Sequence, residues 1–385
     1  MRLADRATPR AAVLAAIITA VPTPLLGQDA PPCPSCIDAT ALIERFDLRA
    51  APDPVRERDG WAPPRKIVTM MGRGWGPALQ RIAPDAEVVA VDDMESALEA
   101  LPGADVYIGF CGPGIAESGT DLRWIHSPPA GAGGCTSLPQ VADGRTLVTN
   151  GQRIFAPQIA DHAMGLLLAM TRRLARYQEQ QRAGQWSHPT ASAVVALDSA
   201  YWELEGKAML VLGLGGIGTE VARRGAAFGM RVRGTRNSSR EGPDFVEYVG
   251  LADETLELAS WADVVVNALP LTPDTRGIVS EAFLRTMKPT AYLINVGRGE
   301  TVDTDALIRA LREGRLAGAG LDVTDPEPLP PGHPLWTTPN LLLTPHVAAA
   351  SDQLAARSLL LAQENLRRYV AGEPMLSVVD PRLGY

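Results

Sequence analysis

The sequence predicts an α/β protein built on two parallel sheets, with a large doubly wound domain inserted into a smaller α/β domain. From residue 66 onward, short apolar runs alternate with amphipathic segments, which is the pattern of successive βα units. A long helical stretch at 156–184 separates two such series, and a final one at 350–372 can pack back on the first series. The predicted boundaries are 66–155 and 347–385 for the smaller, discontinuous domain and 156–346 for the inserted one.

The strands are predicted from continuous apolar runs, because strands of a parallel sheet are covered on both faces. The first series contains predicted strands at 66–70, 86–92, 105–110, 122–127 and 146–150, with a helix at 74–83. The second series contains six, within 207–218, 231–236, 263–270, 291–297, 317–323 and 340–346. Six apolar strands separated by helical segments predict the doubly wound sheet.

Composition and charge argue against a nucleic-acid partner. The 385 residues are 46% hydrophobic, which is typical of a soluble globular protein. Lys and Arg total 36 against 44 Asp and Glu, for a formal net charge of −8. Nucleic-acid binding would need a basic surplus concentrated on one face, so no such partner is predicted.

The first 30 residues have the pattern of a secretory signal peptide. Three arginines precede an uninterrupted apolar run at 11–21, and small and polar residues follow it. The run is shorter than the roughly 20 residues that a spanning helix needs, so no membrane span is predicted in the mature form. Export to the periplasm is therefore predicted, with 31–65 as an extension before the first domain. A disordered, Ala-rich leader on a cytoplasmic protein is the alternative.

The cysteines agree with export. Cys33 and Cys36 form a C-x-x-C directly after the leader, and Cys111 and Cys135 lie in the first domain. A C-x-x-C away from a strand-to-helix junction is weak evidence for a redox centre. A structural disulfide in an oxidising compartment is the simpler interpretation. A zinc site that uses all four cysteines is the alternative, although their spacing does not support it.

A glycine motif predicts a dinucleotide site. Gly213, Gly215 and Gly218 have the G-x-G-x-x-G spacing, with Gly216 and Ile217 between them. The motif ends an apolar strand and opens a helix, which is the context that makes it specific. The glycines allow a tight turn, close approach of a pyrophosphate and close packing of helix on strand. The motif therefore predicts a Rossmann nucleotide-binding domain; a glycine-rich turn without a ligand is the alternative.

The end of the next strand predicts which dinucleotide binds. About 20 residues after the glycines, an NAD-binding domain carries an acidic residue for the ribose hydroxyls. Arg236 stands there instead, followed by Ser238, Ser239 and Arg240. A guanidinium pairs with a 2′-phosphate, whereas a carboxylate repels it. NADP(H) is therefore predicted over NAD(H), and a solvated loop arginine is the alternative.

Three residues follow successive predicted strands of the second series: Arg298, Glu327 and His346. They are expected at the carboxyl edge of the sheet, where ligands of this architecture bind. Arg298 is predicted to bind a carboxylate, His346 to exchange a proton and Glu327 to stabilise the imidazolium. The glycines on both sides of Arg298 are predicted to let a ligand approach the backbone. The alternatives are an internal ion pair for Arg298, a structural His346 and a solvated loop for Glu327.

From about residue 66 to 375 the chain resembles the D-isomer-specific 2-hydroxyacid dehydrogenases. The similar stretches, in family order, are "GLGGIGTEVARR", "LPLTPDTRGIV", "LINVGRGETVD", "AGAGLDVTDPEPLPPGHPLW" and "LLLTPHVAAAS". The resemblance implies a Rossmann domain inserted in a flavodoxin-like substrate domain, and a homodimer. It implies that Arg298 binds a 2-oxo acid carboxylate and that Glu327 and His346 form the acid–base pair.

The resemblance also implies further contacts. Asp322 would lie beside the nicotinamide carboxamide, with His346 at both cofactor and substrate, and four other residues would lie along the cofactor: Leu269, Pro270, Thr275 and Val296. Backbone amides at Ala130 and Gly131 would face the substrate, but Gly133 stands where the family usually has Asp. The substrate therefore stays open within the family.

The predicted function is the interconversion of a small 2-oxo acid and its D-2-hydroxy acid by hydride transfer. An NADPH-linked reductase of the glyoxylate or hydroxypyruvate type is favoured, and no metal site is predicted. One alternative is a dinucleotide-sensing, corepressor-like binding protein. Another is a dehydrogenase on the same scaffold with a different substrate, such as formate or phosphite.

Overall fold

The computed structural model describes residues 38–190, 201–237 and 239–382. Within these ranges, the smaller sheet has five parallel strands in the order β2-β1-β3-β4-β5. Its strands are β1 Lys66–Thr69, β2 Glu87–Ala90, β3 Val106–Ile108, β4 Trp124–Ser127 and β5 Leu147–Asn150. All five coincide with predicted strands.

The helices of this half of the chain are short, apart from those that join the two sheets. They are α1 Ala39–Phe46, α2 Gly76–Gln80, α3 Met94–Ala100, α4 Ile115–Ser118, α5 Gly133–Thr136 and α6 Pro139–Ala142. Single 3-10 turns lie at Val55–Glu57 and Arg73–Trp75. Asp38 and Asp93 cap α1 and α3 by accepting backbone N–H bonds, which satisfies donors that a helix start leaves free.

The larger sheet has seven parallel strands in the order β12-β11-β10-β9-β6-β7-β8. They are β6 Ala208–Leu212, β7 Arg231–Thr235, β8 Tyr248–Gly250, β9 Val264–Asn267, β10 Tyr292–Asn295, β11 Gly318–Leu321 and β12 Leu341–Leu343. The prediction of six strands was wrong by one, because β8 was missed. This strand has three residues, lies at the sheet edge and exposes Tyr248, so it has no continuous apolar run.

Both faces of the larger sheet are covered, as a doubly wound fold requires. In β6, Met209 and Val211 join one apolar core, while Leu210 and Leu212 join the core on the opposite face. The helices of this part are α9 Gly216–Ala227, α10 Thr255–Trp261, α11 Glu281–Thr286 and α12 Thr304–Arg312, and 3-10 turns lie at Ala252–Glu254, Gly299–Thr301 and Pro334–Thr337. Because all seven strands are parallel, their carboxyl ends lie at a single edge of the sheet.

The stretch predicted as one helix at 156–184 is two helices, α7 Ala156–Thr171 and α8 Leu174–Arg182. Arg173 separates them with a φ of 54°, a left-handed conformation that ends a helix. α7 is largely buried and lies in the core shared with β6 and α9, whereas α8 has no buried residue. The prediction failed because the apolar face ends at Thr171 while helix-favouring polar residues continue.

The last helix, α13 Leu354–Ala371, returns to the smaller sheet. Leu366 and Tyr369 are buried there, and the Tyr369 ring stacks on Trp124 with centroids 5.1 Å apart. Helix α1 also contributes to a core, because Leu42 and Phe46 are buried among residues of α7 and α9. The predicted domain limits themselves remain a prediction.

Cys111 and Cys135 form a disulfide that joins the segment after β3 to α5. The alternative of a zinc site made by all four cysteines is therefore wrong, since these two thiols are bonded to each other. Cys33 and Cys36, like the predicted signal peptide at 1–30, lie outside the described residues. Among the helices that the structure describes, none is long and apolar enough to cross a membrane.

Candidate active site

The glycine turn after β6 has the shape that a dinucleotide diphosphate requires. Gly213 has a φ of 87°, which favours glycine, and its N–H donates to Thr235 Oγ1 at 3.1 Å. A side chain at Gly218 would collide with the carbonyl of Gly213, whereas no atom lies within 4 Å of the position that a Cβ on Gly215 would occupy. The turn is thus tight on the protein side and open on the other, where the first N–H groups of α9 are free.

The end of β7 offers one unpaired guanidinium. The Arg236 backbone N–H donates to the Gly250 carbonyl at 3.0 Å, and its buried Nε has no partner among the described residues. Arg240 differs, since its Nη1 donates to Glu254 at 2.8 Å and to Tyr248 at 2.7 Å. Hydrogen bonds from Arg240 and Tyr248 hold the pKa of Glu254 down at about 2, so the Glu254 carboxylate stays charged. Of these two arginines, Arg236 is therefore the one available to an anion. The predicted cofactor residue Ser238 lies outside the described residues.

The catalytic candidates follow three neighbouring strands, β10, β11 and β12. His346 Nδ1 lies 2.5 Å from Glu327 Oε1, and both side chains are about half exposed, at 45% and 39%. His346 Nε2 makes no hydrogen bond within the described part of the chain and faces outward from this pair. An imidazole held through one nitrogen with the other nitrogen free is suited to exchange a proton with a bound molecule.

Asp322 holds the loop that carries His346. Its carboxylate is 3% exposed and accepts hydrogen bonds from the N–H groups of Val347 and Ala348, both at 3.0 Å, and from Thr344 Oγ1 at 2.7 Å. The Asp322 carbonyl accepts from the His346 N–H at 2.8 Å, and His346 has a φ of 52°. This unusual backbone conformation is therefore fixed by four hydrogen bonds to one residue. Sequence analysis placed Asp322 at the cofactor but missed this positioning role.

His162 of α7 extends the same network. Its Nε2 lies 2.8 Å from Thr344 Oγ1 and 3.4 Å from Asp322 Oδ1. Because the Thr344 hydroxyl donates its hydrogen to Asp322, its oxygen accepts from His162, so Nε2 of His162 carries the hydrogen. The helix between the two sheets is thus tied to the loop of His346. Sequence analysis did not identify His162, because nothing in a local pattern links residues 162 and 344.

A buried amide network positions Arg298. The Arg298 carbonyl accepts from Asn295 Nδ2 at 3.0 Å and from Thr301 Oγ1 at 2.5 Å, and Asn267 Nδ2 donates to both of those side chains. The guanidinium donates to the Gly297 carbonyl at 2.7 Å, and no carboxylate in the described ranges pairs with it. This argues against the alternative of an internal ion pair. Arg298 keeps donors for an external anion.

The glycines beside Arg298 serve the protein's own packing. A side chain at Gly299 would collide with the backbone of Thr324, and a Cβ at Gly297 would lie 2.7 Å from the Leu269 carbonyl oxygen. The interpretation that these glycines admit a ligand to the backbone was wrong. Gly297 and Gly299 let the segments that follow neighbouring strands pack closely, and Arg298 lies between these two glycines.

The loop after β4 meets Arg298 across the cleft between the sheets. A side chain at Gly131 would collide with the Arg298 guanidinium, so the two approach closely. The Ala130 carbonyl accepts from Asn150 Nδ2 at 2.6 Å, which fixes the loop, and the N–H groups of Ala130 and Gly131 have no acceptor within the described residues. Nothing lies within 4 Å of a Cβ placed on Gly133. A guanidinium that pairs with no carboxylate in the described ranges thus lies beside two backbone N–H groups that lack an acceptor there.

The other predicted cofactor residues lie around the glycine turn or support it. A Cβ on Gly213 would lie 2.9 Å from Leu269 Cδ2, so Leu269 borders the turn. Pro270 accepts a hydrogen bond from Thr275 Oγ1 at 2.6 Å, which closes the loop after β9. Val296 is 5% exposed and belongs to the core, and Ile217 packs against the same core.

The fold, with its glycine turn between a strand and a helix, is that of a dinucleotide-dependent oxidoreductase, and the His346–Glu327 pair and Arg298 follow strands at the carboxyl edge of the larger sheet. Residues 164–348 match the family model described as D-isomer specific 2-hydroxyacid dehydrogenase, NAD binding domain. The chain belongs to the D-isomer specific 2-hydroxyacid dehydrogenase family, as the relatives below also show.

Two relatives and one solved structure illustrate the similarity. The chain is 38% identical over 247 residues to the glyoxylate reductase of Thermofilum pendens, covering 63% of this chain and 70% of that protein. It is 38% identical over 267 residues to the glyoxylate reductase/hydroxypyruvate reductase of Mus musculus, covering 68% and 78%. A D-isomer specific 2-hydroxyacid dehydrogenase from Xanthobacter autotrophicus, in complex with NADPH and MES, aligns with a TM-score of 0.68 and 30% identity over 84% of this chain and 100% of that one.

Proposed function

We propose that the protein is an NADPH-preferring reductase of small 2-oxo acids, of the glyoxylate or hydroxypyruvate type. The observation that carries the proposal is that the His346–Glu327 pair, at 2.5 Å, and Arg298 follow neighbouring parallel strands, with Gly131 lying against the Arg298 guanidinium. A 2-oxo acid presents a carboxylate next to a carbonyl. The arginine and amides suit the carboxylate, and the histidine suits the carbonyl oxygen.

In this proposal the residues divide the work as follows. A bound nicotinamide dinucleotide supplies the hydride that reaches the carbonyl carbon. Arg298 binds the substrate carboxylate through two parallel N–H bonds, which fixes the orientation of the neighbouring carbonyl. His346, protonated and paired through Nδ1 with Glu327, donates the Nε2 proton to the carbonyl oxygen as it gains negative charge. Asp322 keeps His346 in place through the loop hydrogen bonds.

The preference for NADPH is supported by the unpaired side chain of Arg236. Its Nε is buried without a hydrogen bond among the described residues, and an unpaired buried donor is costly unless a ligand satisfies it. A 2′-phosphate supplies acceptor oxygens for the planar guanidinium fork. The Xanthobacter autotrophicus relative was solved with NADPH, which agrees with this preference.

Small substrates are favoured by the relatives that are named glyoxylate reductase. The absence of a side chain at Gly133 leaves room in the loop that would face the substrate, so the size limit is best measured directly. The test is the rate of NADPH oxidation with glyoxylate, hydroxypyruvate, pyruvate and longer 2-oxo acids, with NADH in parallel. Highest kcat/KM for the two-carbon or three-carbon acids with NADPH supports the proposal. Turnover of none of these acids, together with His346→Gln behaving like the wild type, contradicts it.

We also propose export and a homodimer. Export is supported by the basic and apolar leader and by the Cys111–Cys135 disulfide, since disulfides persist in oxidising compartments. The homodimer is inferred from the family. Sedimentation of the purified protein measures it, and a monomer at micromolar concentration contradicts it.

A further inference from the structure

Arg153 has an unusual backbone conformation at the start of the path between the two domains. It lies three residues before α7 and has a φ of 72°, a region that residues with a Cβ rarely adopt. Such outliers persist only where the surrounding structure holds them, and they cluster at ligand sites.

The side chain covers the first residue of the nucleotide helix. A Cβ on Gly216, where α9 begins, would lie 2.9 Å from Arg153 Cγ and 3.1 Å from its Cα. Only a glycine at this position leaves space for the arginine to cross. Gly216 belongs to the motif, so Arg153 lies against the turn that faces the cofactor phosphates.

The guanidinium is held by a residue from the N-terminal helix region. Arg153 Nη1 donates to Asp47 Oδ2 at 2.7 Å and lies 3.4 Å from the Phe46 carbonyl, and the side chain is 27% exposed. Asp47 is shared, because Arg49 lies 3.6 Å from the same oxygen. Anchored at this end, the Arg153 guanidinium cannot swing freely into solvent.

Positive charge accumulates around this turn. Burial lowers the pKa of Arg153, and the neighbouring charges of Arg49 and Arg236 lower it further, while Asp47 opposes them. Arg153 and Arg236 are thus near enough to repel each other. In the described ranges, Asp47 is the one carboxylate that forms an ion pair with any of these three arginines. Such a cluster is stabilised by a bound anion.

We infer that Arg153 is a second arginine for the 2′-phosphate of NADP(H), acting with Arg236 across the glycine turn. The inference rests on the proposed preference for NADPH and adds a specificity-determining residue to it. Arg236 approaches from the end of β7, and Arg153 approaches over Gly216. Two guanidinium groups match the charge of a phosphate monoester better than one. Arg153 bonds to Asp47 through Nη1 alone, and its Nε and Nη2 make no hydrogen bond in the described ranges, so they remain available to the phosphate.

The test measures binding to the purified full chain by titration calorimetry, without turnover. The ligands are 2′,5′-ADP, which carries the 2′-phosphate, and 5′-AMP, which lacks it. Arg153→Gly removes the guanidinium and suits the positive φ, so the variant should fold; Arg153→Lys keeps the charge. Arg49→Gln is the matched control, since Arg49 pairs with the same Asp47 but is 74% exposed.

We expect Arg153→Gly to weaken 2′,5′-ADP binding about tenfold or more, which corresponds to about 1.4 kcal/mol. Binding of 5′-AMP should change less than about twofold, Arg153→Lys should recover part of the loss, and Arg49→Gln should have little effect. Arg236→Asp serves as the reference for the proposed function.

Four results overturn the inference. If Arg236→Asp loses 2′,5′-ADP while Arg153→Gly does not, the inference fails and the NADPH preference stands. If Arg153→Gly weakens binding of both ligands equally, the side chain acts on the other cofactor phosphates. If Arg49→Gln weakens 2′,5′-ADP binding as much as Arg153→Gly does, the effect comes from the overall positive charge and not from a specific contact of Arg153. If the wild type binds 2′,5′-ADP no more tightly than 5′-AMP, the proposed cofactor preference itself fails.

Discussion

Single residues at the strand ends define the chemistry, and much of their support lies far away in sequence. His346 and Glu327 could be predicted because each ends a recognisable apolar strand. The hydrogen bonds of Asp322 to Thr344, Val347 and Ala348 could not, because they depend on a backbone conformation at His346 that no pattern encodes. Prediction from sequence therefore named His346 and Glu327, which the structure pairs, and missed the groups that hold the loop of His346.

The His346–Glu327 pair should act as one catalytic unit. We expect His346→Gln to lower kcat by about 10²-fold or more, the usual contribution of general acid–base catalysis, with little change in NADPH affinity. Glu327→Gln should also lower kcat, because the hydrogen bond between Glu327 and His346 Nδ1 fixes the orientation of the imidazole ring. Steady-state kinetics measure both effects. Full kcat in Glu327→Gln would show that the pair does not function in turnover.

Arg298 should be sensitive even to lysine. A lysine supplies a point charge but no planar fork, so Arg298→Lys should raise KM for the 2-oxo acid by about tenfold or more while cofactor affinity is kept. Arg285 of α11, which pairs with Glu281 at 2.6 Å, provides a control away from the strand ends, and Arg285→Lys should leave KM unchanged. Full kcat/KM in Arg298→Lys would contradict the assignment of Arg298 to the carboxylate.

His126 is a buried neutral histidine and should make stability depend on pH. Thr149 Oγ1 lies 2.9 Å from His126 Nδ1, and Nε2 has no partner among the described atoms. Burial lowers the pKa of His126 from 6.5 to about 3. Because the unfolded chain binds the proton first, stability present above pH 6.5 is lost as the pH falls below that value.

The loss from His126 should reach about 2 kcal/mol at pH 5 relative to pH 7.5. Urea unfolding at these two pH values measures it, and His126→Asn should remove this part of the pH dependence even if it lowers stability overall. If the free energy of unfolding changes equally with pH in the wild type and in His126→Asn, His126 is not the titrating group.

At the scale of elements, loops joined by the disulfide shape the proposed substrate site. Cys111 and Cys135 are 24 residues apart, and Gly134 packs against the Cys111 carbonyl, where a Cβ would lie 2.9 Å from the oxygen. The loop with Ala130 and Gly131 directly precedes the helix that carries Cys135 of this disulfide. Sequence analysis left the cysteine pairing open because spacing alone does not determine connectivity.

Removing the disulfide should affect stability and substrate binding together. Replacing both cysteines by serine should lower the free energy of unfolding by about 3 kcal/mol, as for other loops of this length. It should also raise KM for the 2-oxo acid, while the Kd of NADPH changes less because the glycine turn follows a strand of the other sheet. Calorimetry and kinetics with and without thiol reductant measure these effects, and the double variant should be insensitive to the reductant. An unchanged KM in the double serine variant would show that the disulfide does not position the substrate loop.

At the scale of the whole molecule, the parallel sheets could be predicted because buried strands are continuous apolar runs. The exceptions have physical reasons. β8 is a three-residue edge strand, and the break at Arg173 depends on a left-handed residue within a stretch of helix-favouring side chains. Contacts across the cleft, such as Gly131 with Arg298, were expected only through the family resemblance, because they join residues on different domains.

The N-terminal residues and the disulfide predict the compartment in which the molecule functions. Arg2, Arg6 and Arg10 precede the apolar run at 11–21, and this pattern together with the Cys111–Cys135 disulfide favours an exported protein. An exported dehydrogenase must retain its dinucleotide, and folded export normally uses an Arg-Arg signal, which first occurs in this sequence at residue 172. N-terminal sequencing of the protein from its native host, with mass spectrometry of thiol-blocked peptides, tests the prediction. A start between about residues 21 and 31 with Cys111 bonded to Cys135 supports export, because cleavage follows a signal peptide's apolar run. An intact N-terminus with free thiols in the cytosolic fraction would contradict it, and the leader would then be a tail on a cytoplasmic enzyme.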